Sequence, residues 1–378
     1  MKAALSGGAF FLLLWKSICE KMNLEDILIP PPPVAAENWQ LGSKISHKIQ
    51  ENGIALIFCS DYRGIENGTA DEASFNKVRQ ELYRLSNLDF EVAITDLGDL
   101  ISGKSPQDTR YVLEEVLTLC LNKNSVPVLI GGTTDLAFSM FSALNEKYKN
   151  ITYTQISNLI NLSSEGHEVN EKNFLSKILS SKSFSLKNYH HLGYQKHLNE
   201  IDSVKLMKEV DFDLVRLADL MGNTAKTEPF FRKADLVTLN CDAVESMGDG
   251  FSVNPEVNGL NRREICAYMK EIGLSQNLKG VGIFNYNANS RYFLNHQLLA
   301  QMIWHTVEGI NIQKSHPATK SFETYWLMID EKKHAFQRET FTDLWYYGSE
   351  EQVDNLIPCS VMDYENAKRG ILAARFSK

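Results

Sequence analysis

Eight short apolar runs recur through most of the chain: Ile54–Cys59, Val92–Leu97, Val126–Ile130, Ile151–Ile156, His191–Tyr194, Leu214–Leu217, Leu236–Cys241 and Val281–Phe284. Runs this short, apolar on consecutive residues, read as strands covered on both faces. Between most of them lie helical stretches: Glu72–Leu85, Gln107–Asn122, Asp135–Tyr148, Ser203–Val210, Arg262–Ile272 and Arg291–Ile312. In the second, Val112, Val116, Leu119 and Cys120 fall at helical spacing and read as a core stripe. The alternation predicts an α/β chain, with a mostly parallel central sheet between two helix layers. Sites in such sheets lie beyond the carboxyl ends of the strands.

At those ends the chain carries polar residues. Gly131-Gly132-Thr133-Thr134-Asp135 follows one strand, Ser157-Asn158-Leu159-Ile160-Asn161 another, Asn240-Cys241-Asp242-Ala243-Val244-Glu245 a third, and Asn285 a fourth. Taken singly, each has a plainer reading. Gly131-Gly132 fits a tight strand-to-helix turn with Asp135 at the helix start. Asp242 fits a loop or capping residue. His190, His191 and His197 match no compact ligand spacing and read as structural. Cys241 reads as an inert buried thiol. Asp96-Leu-Gly-Asp99 reads as a strand-end turn whose carboxylates lack an evident partner.

In order and spacing these segments resemble the arginase, or ureohydrolase, superfamily. Gly131–Asp135 is similar to its Gly-Gly-x-His-[Ser/Asp], Ser157–Asn161 to its Asp-Ala-His-x-Asp, and Asn240–Glu245 to its Asp-x-Asp-x-x-Asp. Asn254–Glu264 resembles the family's Pro-x-Gly-Leu helix entry, and Gly280–Asn287 its strand ending in Glu-x-Asn-Pro, with Asn285 in place of the glutamate. Asp61-Tyr-Arg-Gly64, Leu192-Gly-Tyr-Gln195 and Leu356–Ser360 bring the chain closest to divergent Bacteroidetes arginase-like proteins labelled formimidoylglutamase. The resemblance covers roughly residues 50–312.

The resemblance implies an arginase-like fold and a binuclear manganese site, and this chain departs from the second. Its six ligand positions hold Thr134, Ser157, Leu159, Asn161, Asn240 and Asp242. Two divalent ions about 3.5–4 Å apart need several carboxylates and imidazoles. Five of the six residues can supply neither, and Glu245 offers at best a second carboxylate. The expectation is a degenerate site that holds no cofactor, in a non-catalytic relative that binds a small metabolite or a protein. One alternative is a formimidoylglutamase-type hydrolase of linear amidines with a rebuilt metal site; another is a structural subunit. The expected vestigial pocket comprises Thr134, Asp135, Ser157, Asn161, Asn240, Asp242, Glu245 and Asn285.

The remaining segments suggest an organisation into residues 1–21 as a leader of doubtful status, 22–49 as an extended N-terminal segment, 50–317 as the main domain and 318–378 as an appendage. Ala3–Trp15 is apolar but too short to span a membrane. Lys16, Glu20 and Lys21 replace a cleavage site, and Met22 is the expected functional start. Pro30–Pro33 excludes helix. Phe322–Ile329, Ala335–Phe336 and Leu344–Tyr347 read as short aromatic strands, with a closing helix over Asp363–Leu372. They predict an antiparallel appendage packed on the main domain, or a partner surface. A net charge of −8 without a basic patch argues against nucleic-acid and anionic-membrane partners. Six cysteines without paired spacing indicate a reduced, cytoplasmic protein. A homo-oligomer is compatible with these features.

Overall fold

The computed structural model describes residues 24–376, apart from 71–73, 89, 211, 222–223, 247 and 350–354. The leader and the expected start at Met22 lie outside the described residues. Ten strands form one sheet: β1 (Leu28–Ile29), β2 (Ile45–Ser46), β3 (Ile54–Cys59), β4 (Ile94–Leu100), β5 (Val126–Gly131), β6 (Ile151–Ile156), β7 (Leu186–Tyr194), β8 (Asp213–Arg216), β9 (Leu236–Asn240) and β10 (Gly280–Phe284). Their order is β1-β4-β3-β5-β10-β9-β6-β7-β8, with β2 on β4. Only β1 pairs antiparallel. All eight expected strands are present; β1 and β2, two residues each, carry no periodic signal.

The helices are α1 (Asn76–Tyr83), α2 (Pro106–Asn122), α3 (Leu136–Lys147), α4 (Phe174–Ser180), α5 (Ile201–Glu209), α6 (Leu217–Leu220), α7 (Glu228–Phe231), α8 (Arg262–Gly273) and α9 (Phe293–Lys314). Two cores flank the sheet, and β3 shows why. Ile54, Leu56 and Phe58 join one core with residues of α1, α8 and α9. Ala55, Ile57 and Cys59 join the other, with residues of α2, α3 and α4. Alternate side chains point to opposite faces, so a strand buried on both must be apolar throughout. On α2 the buried face is Leu113, Val116, Leu117, Cys120 and Leu121, whereas Leu119 is 40% exposed. The core stripe is therefore rotated from the expected one. Capping boxes fix two helix starts, Ser105 with Asp108 on α2 and Asn261 with Glu264 on α8.

A second sheet is antiparallel in the order β11 (Phe322–Ile329), β12 (Lys332–Glu339), β13 (Trp345–Tyr347) and β14 (Ile357–Cys359), followed by α10 (Val361–Lys368). A two-residue turn at Asp330 and Glu331, with φ of 48° and 63°, joins β11 to β12. Tyr325, Trp345 and Tyr364 pack ring on ring, as do Tyr347 and Phe376. The first sheet's layers reach this sheet through Arg232, which donates to the carbonyls of Trp345 and Cys359, and through Gln276, 2.7 Å from the Tyr346 hydroxyl. Among the described residues no helix is long and apolar enough to cross a membrane.

Candidate functional site

Strands β5, β10 and β9 are adjacent, so their carboxyl ends bring Thr134, Asn285 and Asp242 side by side. The turn after β5 requires glycine. Gly131 has φ of 90°, and a Cβ there would lie 2.3 Å from the Cys59 carbonyl oxygen. Gly64 is needed for a different reason: a Cβ would fall 1.9 Å from a carboxylate oxygen of Asp135. The Asp61–Gly64 loop thus packs directly on the β5 turn.

Asn285 is the hub. It is wholly buried and sits in the left-handed region, with φ of 59°, where asparagine is among the few tolerated side chains. Its amide oxygen accepts from the Thr134 backbone N–H at 3.1 Å and lies 3.3 Å from the Thr134 hydroxyl. Its Nδ2 donates to Asp242 at 2.7 Å and to Glu171. Asp242 also accepts from Asn254, and its own N–H donates to Asn240 Oδ1 at 2.8 Å. Burial raises the Asp242 carboxyl, opposed by the bonds from Asn285 and Asn254. Burial, reinforced by the Asp242 charge, pushes Glu171 up to about 8. The pair therefore carries less than two negative charges at neutral pH.

Asp135 and Asp61 flank the hub. Asp135 accepts from the Thr133 hydroxyl and from Arg110 at 3.3 Å, and burial pushes it up to about 6. Its side chain makes no cap bond to α3. Burial works against the Asp61 charge, yet bonds from Arg63 and Thr109 outweigh it and hold this carboxyl below its ordinary range.

The other expected residues are placed differently. Ser157 Oγ accepts from the Leu159 N–H, and Asn161 accepts from Gln155 Nε2 at 3.3 Å. Gln155 continues through the Tyr189 hydroxyl to His191, whose Nε2 lies 3.0 Å from the Ser157 carbonyl oxygen. Burial pushes His191 down to about 4, which keeps it neutral. Among the described residues no side-chain hydrogen bond joins this relay to the hub. Glu245 is half-buried, and no side-chain hydrogen bond joins it to the hub among the described residues. Glu171, 114 positions from Asn285, is the second carboxylate instead. It lies between β6 and α4 in a stretch without periodicity, and no local signal marks it.

At the positions that the resemblance assigns to a binuclear manganese centre, the side-chain oxygens are largely engaged within the chain. Of the six family positions only Asp242 is a carboxylate, and its oxygens already accept from Asn254 and Asn285. The amide oxygens of Asn161 and Asn240 are engaged, and Leu159 offers no donor. Among the described residues no group of three His, Cys, Asp or Glu is placed to hold a metal ion.

No curated protein matches this chain by sequence. Solved structures do match in fold. Formimidoylglutamase from Bacillus subtilis aligns with TM-score 0.65 at 14% identity, over 76% of this chain and 97% of its own. Trypanosoma cruzi formiminoglutamase solved with Mn²⁺ aligns with TM-score 0.64 at 18% identity, over 74% and 99%. A hypothetical agmatinase from Burkholderia thailandensis gives 0.63 at 13%, over 75% and 93%. Residues 68–305 match the Arginase family, and this, with the α/β/α layering, places the chain in the arginase family.

Proposed function

We propose that this arginase-family chain is a pseudoenzyme: its binuclear manganese site is degenerate, and it acts by binding a metabolite or a protein partner. One observation carries the reading. A neutral amide, Asn285, bonds at once to Thr134, Asp242 and Glu171 in the place where the resemblance puts the cation chemistry. An amide N–H bonded to a carboxylate occupies the lone pair that an ion would take. Hard and borderline cations exchange their water poorly for neutral hydroxyls and amides. The hub is also sealed, with Thr134, Asn240, Asp242 and Asn285 at 0–1% exposure. The test is calorimetric titration with Mn²⁺ and elemental analysis of protein purified without chelator. No tight binding is expected, and no turnover of arginine, agmatine or formimidoylglutamate. Two equivalents of firmly held metal, or urea or formamide release that a chelator abolishes, would overturn the reading.

Glu171 favours one alternative. It adds a carboxylate that the family motifs do not predict, within reach of the same amide as Asp242. In that reading the chain is a hydrolase of linear amidines, like the formimidoylglutamases it resembles, with a rebuilt site. Loss of metal uptake in Glu171→Gln would support it.

A further inference from the structure

At the opposite end of the sheet from Asn285, a cavity of about 160 Å³ opens among the amino ends of β3, β5 and β10 and the last turns of α2, α8 and α9. Its lining includes Lys279 and Lys314 and no acidic side chain, in a protein whose net charge is −8. Lys314 Nζ donates to the Asn52 carbonyl. Lys279 is different. It lies outside any helix; its backbone N–H donates to the Asp235 carbonyl at 2.7 Å, while its ammonium makes no hydrogen bond among the described residues and rests 5.3 Å from the centre of the Tyr148 ring. The nearby acid, Asp235, accepts from the Thr152 N–H at 2.9 Å and also feels the Lys279 charge, which opposes the effect of its burial.

The second observation is Ser125, which also lines the cavity. It is 2% exposed, and its hydroxyl has no hydrogen-bond partner among the described residues. Buried hydroxyls are ordinarily bonded, and one left open beside a cavity needs a partner from outside the chain. Leu278 and Ile310 supply an apolar wall. A cavity near 150 Å³ takes a molecule about the size of benzene. We propose that this cavity binds a small organic carboxylate, its anionic head on Lys279 and Ser125 and its short apolar body against Leu278, Ile310 and Tyr148. The site is separate from the family site and stands whether or not that site is catalytic.

Titration calorimetry of the full chain with sodium butyrate at constant ionic strength tests this. Saturable binding of about millimolar affinity is expected, given a ligand of so few atoms. Lys279→Met and Ser125→Ala should each weaken it about tenfold, the loss typical of a bond to a charged group. Thermal melting without butyrate should be unchanged in Ser125→Ala, which loses no hydrogen bond, and should fall only slightly in Lys279→Met, which gives up the Tyr148 ring contact and the attraction to Asp235; n-butylamine should not bind. Absence of saturable heat with the native chain would overturn the proposal. So would native affinity in both variants, or tighter binding of inorganic phosphate than of butyrate.

Discussion

Along β4, Arg79 lies wholly buried between Asp96 and Asp99, 2.8 Å from each, with its guanidinium 4.0 Å from the centre of the Phe58 ring. Beyond β10, Asn285 lies equally buried between Glu171 and Asp242. In the first cluster the chain supplies its own cation, and Tyr83 and the Gly98 N–H complete the bonds to Asp96. Burial still raises Asp99, but Arg79 opposes it. In the second, a neutral amide takes the cation's place, and a carboxylate is held near pH 8 instead. A buried acid pair can be kept by importing positive charge or by giving up negative charge. This fold does both within one sheet.

Removing the hub residue from each cluster should separate them most clearly. Arg79→Met leaves the buried Asp96 and the partly buried Asp99 without a cation and should lower urea-unfolding stability by about 3–5 kcal/mol. Asn285→Gly tolerates the positive φ and leaves Asp242 beside a Glu171 that burial keeps largely protonated at neutral pH, so about 1–3 kcal/mol is expected. Equal losses would break the comparison.

The next effect is on pH. Glu171 has its folded-state value raised from 4.5 to about 8, so its contribution is full below pH 4.5 and is lost as pH rises towards 8. Denaturant titrations across that window should show stability declining by roughly 2–4 kcal/mol from this group. Glu171→Gln should flatten that part of the profile. A profile unchanged by the substitution would mean that Glu171 is ionised in the folded state.

The smallest effect belongs to the ion-paired side. Tyr83→Phe deletes the hydroxyl 2.8 Å from Asp96 and leaves Arg79 in place. A loss of about 1 kcal/mol is expected in chemical denaturation, because the carboxylate keeps its cation. A loss approaching that of Arg79→Met would show that the hydroxyl, not the guanidinium, compensates the charge.

Much of this fold is written in local pattern. Buried strands such as Ile151–Ile156 need unbroken apolar residues, and α8 and α9 carry clear amphipathic or apolar turns. The helix α4 and the pairs β1 and β2 escape notice because they are short and take their place from neighbouring elements. The sites are less legible. Asp96 and Asp99 read as a turn without partners, yet they lie within β4 and face Arg79, 17 and 20 residues earlier. Thr134, Asp242 and Asn285 could be found because each ends a recognisable strand. Glu171 could not: it lies in irregular chain, and a partner 114 residues away defines it.

The left-handed backbone at Asn285 makes that position a poor host for the glutamate that the resemblance expects there. Asn285→Glu would place a longer side chain where φ is 59° and add a negative charge beside Glu171 and Asp242. Both penalties fall on the same step, and neither is relieved until other residues have changed.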